Sequence, residues 1–328
     1  MKRAAWILAI VFGLAFLGAT LLNADLISKS RQALASGVFR DPEAAETARF
    51  HVIVVIPDTG DSFFDGLLEG ISDSASEADA AVQVFRYPGP SAAEAERYFE
   101  IALRAKADGL IMYVTRDEDV DARAARAARE GVTFIPVGAN APGRSIPGFI
   151  GSDPFLQGFE GGKLICARLG AQARIGVILP ASETGTAEEE PLYRGVEAAV
   201  RAFPGASIEI AAWERPGVLA GEEAAVLILQ SRRTVNALFC SSSRSTMGAA
   251  QVVVDMNKVG EILIVGADET AEISRYIDKG VVVASIVRDS RRIGREAVRA
   301  FSLAKESGQP PIPVEVGFFV KTAKGANE

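Results

Sequence analysis

From residue 50 to residue 322, short apolar runs alternate with longer segments in which hydrophobic residues recur at helical spacing. The apolar runs are rich in β-branched residues and nearly continuous, which is typical of strands buried on both faces of a parallel sheet. Helical segments between such strands indicate βαβ units and an α/β fold. The strand candidates are HVIVVIP (51–57), VQVFRY (82–87), GLIMYV (109–114), TFIPVG (133–138), RIGVILP (174–180), SIEIAAW (207–213), ALFCS (237–241), ILIVGA (262–267) and VVVASIV (281–287).

These strands fall into two series, because a longer interval separates the run that ends at residue 138 from the run that begins at residue 174. The pattern predicts two Rossmann-like lobes of about five strands each. Ligands of open α/β sheets bind beyond the carboxyl ends of the strands. The residues directly after each strand are therefore the candidate site, and two lobes that point these ends at each other would share one cleft.

The amino terminus carries a different signal. Lys2 and Arg3 precede an apolar run of nineteen residues, Ala4 to Leu22. A secretory signal core has about 7–15 apolar residues and a membrane-spanning helix about 17–25. We predict a signal peptide or membrane anchor over residues 1–24, with the length favouring an uncleaved anchor, and a linker or stalk over residues 25–49. Either alternative places the body in the periplasm or on the extracytoplasmic face, and an uncleaved anchor would tether it to the inner membrane by residues 4–22.

Composition excludes several function classes. Thirty-five Lys and Arg against 42 Asp and Glu give a net charge of −7, so a nucleic-acid partner is not expected. With one histidine and two cysteines, the chain lacks the residues for a zinc site of the usual His/Cys type. No glycine-rich phosphate loop follows the first strand. His51 opens that strand, where it cannot serve a Ser-His-Asp hydrolase. We therefore predict a protein that is not an enzyme and has no cofactor or catalytic metal.

Cys166 and Cys240 are the two cysteines. Each lies in an apolar stretch, KLICARL and VNALFC. An oxidising compartment would permit a disulfide, but the apolar surroundings favour two separate buried thiols.

An ordered set of short motifs follows the strands of both lobes. In chain order they are DSFF (61–64), GLIMYVT (109–115), GFIGSD (148–153), GFEGGKLI (158–165), LYRGVEAAV (192–200), IVGADE (264–269) and VVASIVRDSRRIG (282–294). Together they resemble the periplasmic sugar-binding proteins of the ribose-binding type, the type I periplasmic binding proteins, which are related to lactose-repressor effector domains. The likeness covers about residues 50–322. A repressor is disfavoured, because an apolar segment stands where its DNA-binding headpiece would be.

The resemblance implies two lobes with parallel sheets, joined by a three-segment hinge that closes on a ligand. The chain would cross between lobes near Ser152, Arg288 and Pro311, and the last strand, VEVGFFVK, would lie in the carboxy lobe. The implied lobes are residues 49–152 plus 289–311 for the N-terminal lobe and 153–288 plus 312–328 for the C-terminal lobe.

The resemblance also assigns ligand-binding residues. Phe63 and Phe64 match the aromatic pair that stacks on a sugar ring, although one of them could instead pack the first helix on the core. Asp61 lies where a polar hydrogen-bonding residue is usual, and Asp268 matches the acid after the IVG strand. Carboxylates at these positions would accept hydrogen bonds from sugar hydroxyls.

Several positions depart from the family pattern. An Asp-Arg pair is replaced by Gly138-Ala139, an arginine by Leu192 with Arg194 displaced, an Asn-Asp pair by Ser242-Ser243, and an amide by Arg288. This pocket is not expected to hold an unmodified pentose or hexose in the family's usual way. Arg288 either faces an anionic or carbonyl group of a small polar ligand, or forms a hinge salt bridge with Asp268 or Asp289.

Four further residues are candidates for the cleft. Tyr113, Ser152 and Ser242 follow or end strands and would line it. Trp213 ends a strand of the carboxy lobe and would either stack on the ligand from the opposite side or belong to the core or surface.

The sequence therefore predicts an extracytoplasmic solute-binding protein that captures a small polar, carbohydrate-like ligand and delivers it to the permease of an ABC-type importer. One alternative is a membrane-tethered sensor that signals to a receptor or kinase. Another is a degenerate lobe pair that serves as an interaction module without a small-molecule ligand.

Overall fold

The computed structural model describes residues 48–89, 91–114, 119–139, 148–181, 186–215, 217, 219–232 and 234–323. The expected signal peptide or anchor lies outside these residues, and so does the expected stalk up to residue 47. Within the described residues, no helix is both long enough and apolar enough to cross a bilayer.

The strands of the described chain form two six-stranded sheets. The first sheet contains β1 (Phe50–Asp58), β2 (Ala80–Pro88), β3 (Gly109–Val114), β4 (Thr133–Ala139), β5 (Ile150–Ser152) and β11 (Val314–Glu315). The second contains β6 (Arg174–Leu179), β7 (Ser207–Trp213), β8 (Ala237–Cys240), β9 (Leu263–Ala267), β10 (Ala284–Arg288) and β12 (Phe318–Thr322).

The helices that connect these strands begin after polar caps at several positions, including Asp61, Ser91, Asp153 and Ser242. Their bounds are α1 (Ser62–Ala75), α2 (Ala92–Arg104), α3 (Val120–Arg129), α4 (Pro154–Leu169), α5 (Pro191–Val200), α6 (Ala220–Ser231), α7 (Ser243–Asp255), α8 (Ala271–Asp278) and α9 (Ser290–Ser307).

Both sheets have the same doubly wound topology. The strand order is β2-β1-β3-β4-β5-β11 in the first and β7-β6-β8-β9-β10-β12 in the second. All pairings are parallel except that of β10 with β12. In each sheet the direction of winding reverses beside the first strand, at the β1/β3 and β6/β8 edges. The carboxyl ends of these strands are where a doubly wound fold binds its ligand.

Each sheet is covered by helices on both faces, which explains why the strands are apolar at successive positions. In the first lobe, one core joins the β1 residues Val52, Val54 and Ile56 to α1 and α9, and a second joins Ile53 and Val55 to α2 and α3. In the second lobe, α4 and α5 cover one face of the sheet, and α6 to α8 cover the other. The structure therefore contains the two parallel-sheet lobes that the sequence predicts.

Both cysteines lie in the cores of the second lobe. Cys166 in α4 and Cys240 in β8 are free, and neither side chain is exposed. The prediction of two separate buried thiols is confirmed, and burial raises the pKa of both.

Most strand ends lie within one or two residues of the sequence-based prediction, but two segments depart further from it. The run VVVASIV is a strand only from Ala284, because the amides of Val281 and Val282 donate to the Tyr276 carbonyl and close the end of α8. The last apolar segment is divided between the lobes, since Val314–Glu315 pairs with Ile150–Gly151 while Phe318–Thr322 pairs with β10.

The expected crossing near Pro311 is therefore wrong, and so is the assignment of all of VEVGFFVK to the carboxy lobe. The chain changes sheets only after Glu315. The reason is that the amides of Val314 and Val316 donate to the carbonyls of Phe149 and Gly151, and the Val316 side chain is fully buried in the first lobe. Two further passages run from β5 into α4 and from β10 into α9, beside Ser152 and Arg288.

Candidate functional site

The carboxyl ends of the two sheets face each other, and the chain makes direct contacts across the space between them. Ser243 Oγ donates to Asp61 Oδ1 at 2.7 Å and accepts from the Ser62 amide at 3.0 Å. The Arg244 guanidinium donates to the Thr59 carbonyl. These bonds join the loop after β1 to the start of α7, so the cleft is closed and its residues lie side by side.

The wall formed by the first lobe is aromatic. The ring centroids of Phe63 and Phe64 lie 5.3 Å apart, and Tyr113 lies 6.0 Å from Phe63 and 5.0 Å from Phe64, all edge to face. The two Phe rings are 2% and 5% exposed and belong to the core beneath α9. Both rings therefore pack α1 on the sheet, and the Phe63 ring also meets a group from the other lobe.

Asp61 connects this wall to the second lobe. It is the N-cap of α1, where its side chain accepts from the Phe63 amide at 3.4 Å. The same carboxylate accepts from Ser243 through Oδ1 and from Arg288 Nη2 through Oδ2, at 3.3 Å. One carboxylate thus caps a helix and binds two donors across the cleft.

Gly138 stands where the family pattern has an acid, and the structure explains the change. Its φ is +139°, a conformation that disfavours residues with a side chain. A Cβ atom there would lie 3.0 Å from the Tyr113 ring and 3.0 Å from the Val114 carbonyl oxygen. The Tyr113 ring therefore fills the space that a side chain at position 138 would need.

Arg288 lies at the centre of the cleft, with its side chain 13% exposed. Its Nε donates to Asp268 Oδ1 at 2.9 Å, and its Nη2 donates to Asp268 Oδ2 and to Asp61 Oδ2. The guanidinium carbon lies 4.2 Å from the centroid of Phe63. Burial alone would lower the pKa of Arg288, but the Asp268 and Asp61 carboxylates outweigh it and hold the pKa above its ordinary value. The guanidinium is therefore charged, and its Nε and Nη2 are paired with carboxylates.

Asp268 is held in a backbone conformation that L-residues rarely adopt. Its φ is +59° and the residue is 3% exposed. Its amide donates to the Ile286 carbonyl at 2.8 Å, and its carbonyl accepts from Ser285 Oγ at 2.6 Å. Strained backbone of this kind persists where the surroundings fix it, often at binding sites. Here it directs the carboxylate at Arg288.

The wall formed by the second lobe is polar. Ser242 caps α7, where its Oγ accepts from the Ser245 amide at 3.0 Å and donates to Glu214 Oε1. Glu214 follows β7 and is 7% exposed. Burial raises the pKa of the Glu214 carboxyl, the hydrogen bonds from Ser242 and Ser245 oppose that rise, and the charge of Asp61 adds to it.

The other sequence-based candidates have different positions. Ser152 is 1% exposed, and its Oγ accepts from Gln157 Nε2 at 2.7 Å, so it is engaged at the passage between lobes. Trp213 packs against the core beneath α4 and α5, and no described ring contact or hydrogen bond brings it to Arg288. Leu192 is buried in the same core and Arg194 is exposed, so α5 supplies no arginine to the group around Arg288.

The structure brings together Asp61, Phe63, Phe64, Tyr113, Asp268 and Arg288, with Ser242 in the facing wall. The site also contains Glu214 and Arg244, which are not among the residues assigned from the sequence, and Ser243, which is named there only as a departure from the family pattern. Glu214 directly follows β7, and Ser243 and Arg244 begin α7 shortly after β8, so the rule that sites lie at strand carboxyl ends was the available signal.

The site's chemistry suits hydrogen bonding to a polar ligand. It offers carboxylates, hydroxyls and an aromatic wall, while His51 lies at the amino end of β1 and bonds Gln83. In the part of the chain that the structure describes, no group of three or more His, Cys, Asp or Glu side chains is placed to hold a metal ion.

Comparison with known proteins gives a consistent picture. A family model described as "Periplasmic binding protein domain" matches residues 52–308. The D-allose-binding periplasmic protein of Escherichia coli (strain K12) is 24% identical over 270 residues, which is 78% of this chain and 85% of that protein. The ABC transporter periplasmic-binding protein YphF of the same organism is 23% identical over 286 residues, covering 80% of this chain and 84% of that protein.

The fold is also found in solved structures. A carbohydrate transporter solute binding protein from Agrobacterium radiobacter, in complex with D-arabinose, superposes with a TM-score of 0.74 at 15% identity. The superposition covers 85% of this chain and 96% of that one. The two-lobed architecture is therefore that of the type I periplasmic binding proteins.

Proposed function

This chain belongs to the family of the periplasmic binding protein domain, and from that premise we propose that it captures an uncharged carbohydrate in the cleft between its lobes and delivers it to the permease of an ABC-type importer. The named relatives bind D-allose, act in ABC transport or hold D-arabinose, which supports a sugar as the ligand class. Membership of the family also supports a periplasmic location and a binding role rather than an enzymatic one.

The pairing of Arg288 is the observation that carries the proposal of an uncharged ligand. An arginine that recognises an anion needs positive charge that is not already balanced, but this guanidinium donates through Nε and Nη2 to two carboxylates, Asp268 and Asp61. The buried Glu214 adds a further carboxyl to the same cleft. A carboxylate or phosphate on the ligand would be repelled by these acids, whereas sugar hydroxyls can donate to them. The alternative in which Arg288 faces an anionic group is therefore not our proposal.

The aromatic wall supports the same ligand class. Sugar rings present one face of C–H groups, which packs on aromatic rings, and an edge of hydroxyls, which bonds to carboxylates. Phe63 and Tyr113 lie on one side of the closed cleft, and Ser242, Glu214 and Asp268 lie on the other. Of the nine sequence-based candidates, we propose that six line the ligand: Asp61, Phe63, Phe64, Tyr113, Ser242 and Asp268.

A thermal-shift screen of the purified chain tests the proposal. The panel pairs neutral sugars, D-allose, D-arabinose and D-glucose, with the matching sugar acids and sugar phosphates. A ligand at about 100-fold over its Kd stabilises the folded state by about 2.7 kcal/mol, a visible rise in the unfolding midpoint. We expect neutral sugars to raise the midpoint and their acids not to.

A preference for the acids or phosphates would contradict the proposed ligand class. No response to any sugar, from a folded protein free of copurified ligand, would favour the interaction module. The sensor alternative depends on the N-terminal segment, so N-terminal sequencing of the mature protein from its membrane and soluble fractions addresses it separately.

A further inference from the structure

Arg288 occupies the position in the cleft that a ligand would be expected to take. Its guanidinium lies 4.2 Å from the centroid of Phe63, the ring proposed to pack against a sugar. It also donates to Asp268 and Asp61, the two carboxylates proposed to accept from sugar hydroxyls. The Arg288 side chain thus contacts all three of these groups, each of which is proposed to bind the ligand.

These contacts cross between the lobes. Asp61 precedes α1 of the first lobe, whereas Asp268 follows β9 and Arg288 ends β10 of the second. The Arg288–Asp268 pair is therefore internal to one lobe, and the Arg288–Asp61 pair, at 3.3 Å, connects the two. The Asp61 side chain is 13% exposed, so this second pair is largely desolvated and is screened little by salt.

Contacts made by two further residues also connect the two lobes. Ser243 Oγ binds both the Asp61 carboxylate and the Ser62 amide, and Arg244 donates to the Thr59 carbonyl. All of these bonds are made by the protein alone. The contacts that close a cleft around a ligand are thus present between the lobes themselves.

We propose that Arg288 is an internal occupant of the binding site, which holds the lobes closed without sugar and must leave Asp61 before a sugar can bind. The statement about sugar binding rests on the proposed function. The statement about closure does not, because Arg288 can hold the lobes closed whether or not any sugar binds. A ligand that binds only the open form has an apparent Kd equal to its intrinsic Kd divided by the open fraction. Arg288 therefore weakens apparent sugar affinity.

Small-angle X-ray scattering of the ligand-free chain tests the closure. Wild type should match the closed form and show no decrease in radius of gyration on adding D-allose or D-arabinose. Arg288→Gln should increase the radius of gyration without sugar. Asp61→Asn is the second variant, because it breaks the cross-lobe pair, keeps an N-cap residue on α1 and leaves the Arg288–Asp268 pair intact. It should also open the lobes even if Arg288→Gln folds poorly.

Matched controls are available on α1 and α9, the helices that follow Asp61 and Arg288. Asp65→Asn changes an acid of α1 that is 71% exposed, and Arg292→Gln changes an exposed arginine of α9. Neither should change the radius of gyration. A wild-type chain that is open without ligand would overturn the proposal, and so would Arg288→Gln and Asp61→Asn chains as compact as wild type.

Isothermal titration calorimetry with the sugar that binds in the screen separates two roles of Arg288, because they predict opposite changes in sugar affinity. If about one wild-type molecule in ten is open, Arg288→Gln should bind the sugar about tenfold more tightly than wild type. If Arg288 is instead a direct ligand contact, the variant should bind more weakly, which would overturn the proposal. If no sugar binds either protein, the proposed function fails, while the scattering result alone decides whether Arg288 closes the lobes.

Discussion

The two lobes share one strand order but form unlike walls of the cleft. At the carboxyl ends of β1, β3 and β4 of the first lobe lie Phe63, Phe64, Tyr113 and the side-chain-free Gly138. Beyond the strands of the second lobe lie carboxyl, hydroxyl and guanidinium groups, among them Glu214, Ser242, Asp268 and Arg288. Apart from Asp61, the first lobe therefore presents an apolar wall and the second lobe a polar wall, on the same topology.

The two walls also differ in how much their residues contribute to the stability of the fold. The aromatic rings of the first wall continue into the hydrophobic core, so removing one of them costs packing energy as well as binding. The polar groups of the second wall bond mainly to one another and to helix caps, so their loss costs less stability. Substitutions in the two walls should differ accordingly.

The largest effect is expected from Phe64→Ala in the aromatic wall. The ring is 5% exposed within the core beneath α9, so its loss should destabilise the fold by about 3–5 kcal/mol. Ser242→Ala in the polar wall removes a helix cap and should cost about 1 kcal/mol. Urea unfolding followed by circular dichroism measures both free energies. Equal losses of unfolding free energy in the two variants would contradict the proposed difference between the walls.

An intermediate effect is expected from Gly138→Ala. The positive φ and the 3.0 Å contacts with Tyr113 and the Val114 carbonyl should together destabilise the fold by about 1–3 kcal/mol. Gly131→Ala is the matched control, because Gly131 also has a positive φ, +77°, but a Cβ there would meet nothing within 4 Å. The excess loss at position 138 over position 131, measured by urea unfolding, reports the clash with the aromatic wall. No excess would show that the wall leaves room for a side chain.

The smallest effect is a pH dependence that arises in the polar wall. Because the folded-state pKa of Glu214 is raised, the folded protein holds this proton more tightly than the unfolded chain does. The site therefore favours folding at acidic pH and becomes unfavourable as the pH rises through the folded-state pKa. The groups that face Glu214 are Ser242, Ser245, Asp61 and Arg244.

Glu214→Gln removes this titration and should raise the unfolding midpoint at pH 8 relative to wild type. The difference between the two midpoints should shrink as the pH falls toward 4, and differential scanning calorimetry across that range measures it. The exposed Glu223→Gln is the control for loss of one charge. A difference that grows toward acidic pH would contradict the assigned direction.

Much of the fold could be predicted from the chain alone, because burial on both faces gives each parallel strand a continuous apolar run. The strands at 109–114 and 207–213 lie where the pattern places them. The strand at the carboxyl end could not be divided correctly, since VEVGFFVK reads as one run. Val314 belongs to the first sheet because this segment bonds to Phe149 and Gly151, which are far from it in the sequence.

Within the site, the sequence by itself determined which residues follow the strands, and so supplied Asp61, Tyr113, Asp268 and Arg288. It also determined that Gly138 and Leu192 replace charged residues of the family pattern. It left open whether Arg288 faces a ligand or a neighbouring acid, and it did not single out Glu214 among the residues that follow the strands.

Only the tertiary structure decided these points. Charge pairing is a matter of distance, and Asp61 and Arg288 are 227 positions apart in the chain but 3.3 Å apart in the fold. Whether a side chain is free or occupied depends on which groups two separate sheets bring to the same cleft. Strand patterns follow from local burial, whereas the occupant of a cleft follows from the contact between lobes.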